Sequence, residues 1–126
     1  MKVCLMASGG GTNAENIIQH ASQFGIEIVG LISDQPDAYA LERAANHDIE
    51  AICLPFERSK DSTYQEDKLR HEAALYEWMK EKQTEWVFLA GYMRILSSSF
   101  IEKFTLPGEE HSRIINIHPS LLPSFP

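Results

Sequence analysis

Five short apolar runs, Val3–Ala7, Ile28–Ser33, Ala51–Leu54, Trp86–Ala90 and Arg113–Ile117, recur along the chain with helix-compatible sequence between them. Each run is nearly continuous rather than alternating, which is the pattern of strands covered on both faces in a parallel sheet. Ala14, Ile17, Ile18 and Ala21 fall at i, i+3, i+4 and i+7, one face of a helix. Ala38–Asn46 and about Gln65–Lys82 also read as helices. The second of these puts Leu69, Ala73 and Tyr76 on its apolar side, with Arg70, Glu77 and Lys80 mostly outside it. Ser99-Phe100-Ile101-Glu102 fits the capping box of a fourth, short helix, and Pro107-Gly108 stops the chain before the last strand. Such a βαβ series predicts an open α/β sheet with right-handed crossovers. At 126 residues, without repeats or linkers, it fits one domain.

Charge narrows the partners. Lys and Arg number 11 against 18 Asp and Glu, a net charge of −7, so the broad basic face of a nucleic-acid binder is not expected. An anion is expected only at a local device such as a helix N-terminus. With 44% hydrophobic and 23% charged residues the composition is that of a folded globular domain. No apolar run approaches the roughly 18 residues of a membrane span, and Val3–Ala7 is too short for a signal-peptide core. Cys4 and Cys53 sit inside apolar runs and read as buried, reduced thiols, which predicts a cytoplasmic protein. His20, His47, His71 and His111 have no metal-ligand spacing, so no metal is expected. Glu109-Glu110 reads as a solvated charge pair. The sequence carries no signature of a particular oligomer.

In open α/β sheets ligands bind beyond the carboxyl ends of the strands. The residues that follow strands one, four and five are Ser8–Asn13, Gly91–Arg94 and Asn116–His118. In the first cluster three glycines let the backbone approach a ligand closely, and Thr12 and Asn13 add side-chain donors at a helix start, which suits a phosphate. Gly9, Gly11 and Ala14 also match G-x-G-x-x-A, with Asp34 where a ribose-binding acid would stand, so a dinucleotide site competes. A tight turn without a ligand is the third reading. In the second cluster Arg94 could orient a planar polar ligand against Met93, Ile95 and Leu96, or simply face solvent beside core residues. In the third, strand alternation points Asn116 and His118 to one side, and Pro119 keeps His118 extended. An amide donor beside an imidazole can hold an oxyanion and move a proton.

Taken together, Ala7–Asn13, Asp37–Ala44, Leu89–Leu96 and Ile115–Pro123 resemble the phosphoribosylglycinamide formyltransferase family over essentially the whole chain. The glycine loop sets that family apart from other folate-dependent formyltransferases and demotes the dinucleotide reading. The resemblance implies an open, mostly parallel Rossmann-like sheet with helices on both faces. It further implies transfer of a formyl group from 10-formyltetrahydrofolate, a co-substrate, to the amine of glycinamide ribonucleotide in purine biosynthesis. By matching position, Gly11, Thr12 and Asn13 would hold the ribose phosphate. Lys68, Met93, Arg94, Ile95, Leu96 and Asn116 would bind the folate, Asn116 would bond the formyl oxygen, and His118 would move the proton. Lys68 stands where the family commonly has Arg, which keeps the charge and loses the planar fork. The segment Leu106–His111 is longer than the family's turn and is expected to lie away from the ligands. Family members also continue past Pro126, with an aspartate that pairs with the residue matching His118. Residues 1–126 are therefore expected to form a single formyltransferase-type domain that is C-terminally truncated, inactive if it lacks that aspartate. The readings that compete with this enzyme are a non-catalytic phosphate- or nucleotide-binding module and a dinucleotide-dependent oxidoreductase.

Overall fold

A computed structural model describes residues 1–117. Its strands are β1 (Lys2–Met6), β2 (Glu27–Ser33), β3 (Ala51–Cys53), β4 (Trp86–Leu89) and β5 (Ile114–Asn116). They form one sheet in the order β3-β2-β1-β4-β5, every neighbouring pair parallel. The helices between them are α1 (Thr12–His20), α2 (Tyr39–Asn46), α3 (Tyr64–Glu81) and α4 (Ser98–Glu102), with a 3-10 turn at Ala21–Phe24. All five predicted strands are present within a residue or two of their expected bounds.

Alternation along the strands divides the interior into two layers. Val3, Leu5, Ala7, Leu31, Phe88 and Ala90 face α1 and α2, where Ala14, Ile17, Ala40 and Ala44 fill the contact. Cys4, Met6, Ile32 and Val87 face the other way, against Leu75 and Met79 of α3 and Phe100 and Phe104 at α4. Burying side chains such as Leu75 and Met79 stabilises the fold by roughly 1.5–3 kcal/mol each. The sheet is thus covered by helices on both faces. Gly30 lets α3 approach β2 closely, because a Cβ there would lie 2.4 Å from the Trp78 ring.

Helix α3 corrects the expected apolar side. Leu69 is 55% exposed and Ala73 is exposed, while Asp67, Glu72, Leu75 and Met79 are buried. Two acids in the inward stripe hide its period in the sequence. They are tolerated because each is hydrogen-bonded. Asp67 accepts from Arg58 Nε at 2.6 Å and from the Ser59 N–H at 3.2 Å, and it also holds Ser62 and Arg70. Glu72 accepts from the Ser97 N–H at 2.8 Å and from the Ser97 hydroxyl.

The start of α4 is also corrected. Its N-cap is Ser97, whose hydroxyl accepts from the Phe100 N–H at 3.3 Å, and not Ser99. Glu72 fixes the Ser97 side chain and so selects which serine of the cluster caps. The full capping box lies instead at α3, between Thr63 and Glu66.

Candidate functional site

The glycine loop runs from the end of β1 into α1. Gly11 is the N-cap residue of α1 at φ +77°, a left-handed conformation that suits glycine. A Cβ at Gly11 would stand 2.6 Å from the Cα and Cβ of Ala40, so the loop lies directly on the start of α2. Gly9 and Gly10 have the opposite surroundings: a Cβ on either would meet nothing within 4 Å. They are exposed and leave the backbone open to a ligand. The first helical hydrogen bond runs from the Glu15 N–H to the Gly11 carbonyl at 2.8 Å. The N–H groups of Thr12, Asn13 and Ala14 therefore precede the intrahelical ladder, at the positive end of the helix dipole.

Arg43 of α2 fastens this loop, a role the sequence reading did not assign. Its Nε donates to the Gly10 carbonyl at 2.7 Å, and its guanidinium pairs with Glu15. His47 Nε2 lies 3.3 Å from the other Glu15 oxygen. The Arg43 hydrogen bond, with a smaller contribution from His47, holds the Glu15 carboxyl below the usual carboxylate range. Arg43 lies inside Asp37–Ala44, one of the segments that carried the resemblance, so a signal was present without a physical role attached.

The loop after β4 meets the glycine loop at Ser8. The Ser8 N–H donates to the Gly91 carbonyl at 3.2 Å, and the Met93 N–H donates to the Ser8 hydroxyl at 2.8 Å. Gly91 takes φ +82°, which turns the chain outward from the strand. Met93 and Ile95 then stand 80% and 83% exposed, whereas Arg94 and Leu96 are half-buried. Leu96 and Tyr92 pack on the layer beneath α3. Burial, more than the nearby Asp34 charge, pushes the Tyr92 phenol up from its ordinary pKa.

Arg94 turns toward the connection between β3 and α3. Its guanidinium carbon lies 3.8 Å from the centre of the Phe56 ring, and its Nη2 donates to the Tyr64 hydroxyl at 3.4 Å. Lys68, on the second turn of α3, is half-buried and makes no hydrogen bond or ion pair among the described residues. It precedes Glu72 by four residues and so shares its helix face. Glu72 holds Ser97, just beyond Leu96. The beginning of α3 and the segment Met93–Leu96 are thereby brought to the same end of the sheet.

Asn116 closes β5 and is exposed. Its register partner is Leu89, whose own partner on β1 is Met6. This row places Asn116 at the carboxyl edge, on the α3 side of the sheet, with β4 between it and β1. Ile117 packs on the opposite layer and its N–H donates to the Leu89 carbonyl at 2.9 Å. The expected alternation around Asn116 is therefore seen. His118 lies outside the described residues.

Gly11, Thr12, Asn13, Met93, Arg94, Ile95, Leu96, Asn116 and Lys68 thus gather at one edge of the sheet. Asp34, the acid considered for a ribose contact, directly follows β2. It is only 6% exposed, beneath the rim, with its Oδ2 reached by the Gln35 side chain at 3.4 Å. Cys4 is buried and Cys53 half-buried, both free; burial raises the pKa of each. Among the described residues no group of three metal-ligating side chains comes together, and no helix is long and apolar enough to cross a membrane. Leu106–His111 lies before β5, at the amino edge, where the Arg113 N–H donates to the Phe104 carbonyl at 2.8 Å. It is distant from the site, as expected.

Residues 1–126 match the family model described as formyl transferase. The chain is 34% identical over 127 residues to a phosphoribosylglycinamide formyltransferase of Bacillus subtilis, an alignment covering 99% of this chain and 59% of that protein. It is similar to a solved phosphoribosylglycinamide formyltransferase of Coxiella burnetii in complex with CHES, with a TM-score of 0.77 and 35% identity over 99% of this chain and 54% of that one. A formyltetrahydrofolate deformylase from Pseudomonas putida shares the fold at a TM-score of 0.72 and 27% identity, covering 93% of this chain and 37% of that one. The chain spans somewhat more than half the length of the curated bacterial relatives it matches.

Proposed function

The chain belongs to the formyl transferase family, and from that premise we propose that the protein moves a formyl group from 10-formyltetrahydrofolate to the amine of glycinamide ribonucleotide. The observation that carries this reading is the double hydrogen bond at Ser8, which ties the glycine loop to the Met93–Leu96 segment. A donor molecule on one loop and an acceptor on the other would then be held against each other. Holding two reactants in place removes much of the entropic barrier to a bimolecular step.

The ribonucleotide phosphate sits on the backbone of Gly11, Thr12 and Asn13, where N–H groups precede the helical ladder and Gly9 and Gly10 leave the approach open. The reduced folate lies against Met93, Ile95 and Leu96, with Arg94 bonding its polar edge and Lys68 supplying a second positive charge. In the reaction the amine nitrogen bonds to the formyl carbon and gives a tetrahedral intermediate. The carbon–nitrogen bond to the folate then breaks, and the amine proton passes to the departing folate nitrogen. Asn116 donates its amide to the formyl oxygen as negative charge gathers there, a role typically worth about 3–4 kcal/mol in the transition state. His118, two positions further along, moves the proton, and such groups contribute about 10²–10⁴-fold. Neither a metal nor a covalent enzyme intermediate is required.

The test is an assay of the full-length protein with both substrates, following tetrahydrofolate as it forms. Transfer that needs both compounds is the expected result. Ribonucleotide binding without folate binding or transfer would favour a non-catalytic module instead.

A further inference from the structure

We propose that Phe56 is a positioning residue for the folate: its ring holds the Arg94 guanidinium so that the in-plane N–H groups face the cleft. This rests on the reading of Arg94 as a folate-binding residue given above.

The connection between β3 and α3 is built to present that ring. Asp67, buried on the first turns of α3, accepts from Arg58 Nε at 2.6 Å and from the Ser59 N–H at 3.2 Å, which folds the connection back onto the helix. The Arg58 guanidinium then lies 5.5 Å from the centre of the Tyr64 ring. Tyr64 and Phe56 stand 5.4 Å apart, and His71 meets Phe56 edge-on at 5.7 Å. His71 is itself fixed, its Nε2 donating to the Leu54 carbonyl at 2.8 Å. Phe56 is therefore held on two sides by residues of α3, and its free face carries Arg94 at 3.8 Å.

That distance sets the guanidinium carbon in contact with the face of the ring. A guanidinium covered on one face keeps its five N–H donors directed outward in its plane. An aromatic support thus restricts a long, flexible side chain without consuming the hydrogen bonds a planar ligand needs. Among the described residues the one hydrogen bond of the Arg94 guanidinium, to the Tyr64 hydroxyl, is long at 3.4 Å and easily exchanged for a ligand atom. Lysine at position 94 could not use the ring in this way.

Three single variants, Phe56→Leu, Phe56→Trp and Arg94→Ala, and one double variant test the proposal; all are read by folate affinity, and the proteins that keep Arg94 also by NMR of its side chain. In the parent the Arg94 side-chain protons should be shifted upfield by the ring. Phe56→Leu should abolish that shift and weaken folate binding about 3- to 30-fold, leaving ribonucleotide affinity unchanged. Phe56→Trp should restore both. The double variant Phe56→Leu with Arg94→Ala should bind folate no worse than Arg94→Ala alone. Absence of the upfield shift in the parent overturns the proposal. So does a Phe56→Leu protein that binds folate like the parent while Arg94→Ala does not. If Arg94→Ala also leaves folate affinity unchanged, the folate reading of Arg94 fails first and the proposal falls with it.

Discussion

The Met93 N–H donates to the Ser8 hydroxyl at 2.8 Å across 85 residues of sequence, and this bond joins the two loops that the proposed reaction must bring together. Ser8 is nearly buried and serves the loop twice, through its own N–H as well as its side chain. Neither loop is placed by packing alone: Met93 and Ile95 are largely in solvent. The relation between the two loops therefore depends on a small number of polar contacts at the sheet edge.

Ser8→Ala removes the acceptor and leaves the partly buried Met93 N–H unpaired, a loss of roughly 1–3 kcal/mol. Urea unfolding should show a lower midpoint with an unchanged slope. Folate affinity should fall as the Met93–Leu96 segment loosens. A midpoint equal to that of the parent would mean that the bond contributes nothing to holding the loops.

The glycines should separate stability from binding. Gly11→Ala forces a Cβ to 2.6 Å from the Ala40 backbone at φ +77°, so it should destabilise the fold by roughly 2–4 kcal/mol through strain and overpacking. Gly9→Ala meets nothing within 4 Å and should leave stability within about 1 kcal/mol of the parent. Its added methyl group nonetheless blocks the phosphate approach, so calorimetry should show ribonucleotide affinity reduced about tenfold or more. Parent-like affinity in Gly9→Ala would place the phosphate elsewhere.

Asp67 gives the fold an acid-sensitive anchor. Hydrogen bonds from Ser62 first, then Arg58 and the Ser59 N–H, and the Arg70 charge hold its carboxyl below the ordinary value. A carboxyl depressed in the folded state stabilises above its unfolded pKa, about 4, and the contribution is lost as pH falls through the folded value. Melting temperature should therefore drop below about pH 4 in the parent. Asp67→Asn should melt lower at neutral pH and show a shallower acid limb. Parallel acid limbs in the two proteins would remove Asp67 from the account.

Much of this arrangement is legible in the sequence. Continuous apolar runs such as Val3–Ala7 and Trp86–Ala90 are the mark of a doubly covered parallel sheet, and they fixed which loops meet at the carboxyl edge. Helix α3 was misread at its inward face because Asp67 and Glu72 occupy positions where periodicity expects apolar residues. Their burial depends on partners up to 25 residues away, which no local pattern encodes. The cap of α4 went astray for the same reason: three consecutive serines are locally equivalent, and Glu72 chooses Ser97. The site residues named from motifs gather at one edge, yet the contacts by which Arg43, Ser8 and Phe56 prop them emerge only in three dimensions.

The central claim is that one edge of this sheet holds folate and ribonucleotide together and stabilises negative charge on the formyl oxygen through Asn116. Steady-state formyl transfer by Asn116→Ala in the full-length protein tests it most directly. The account predicts kcat lowered about 10²–10³-fold, with ribonucleotide affinity close to that of the parent. A variant that transfers the formyl group at the parent rate would contradict it.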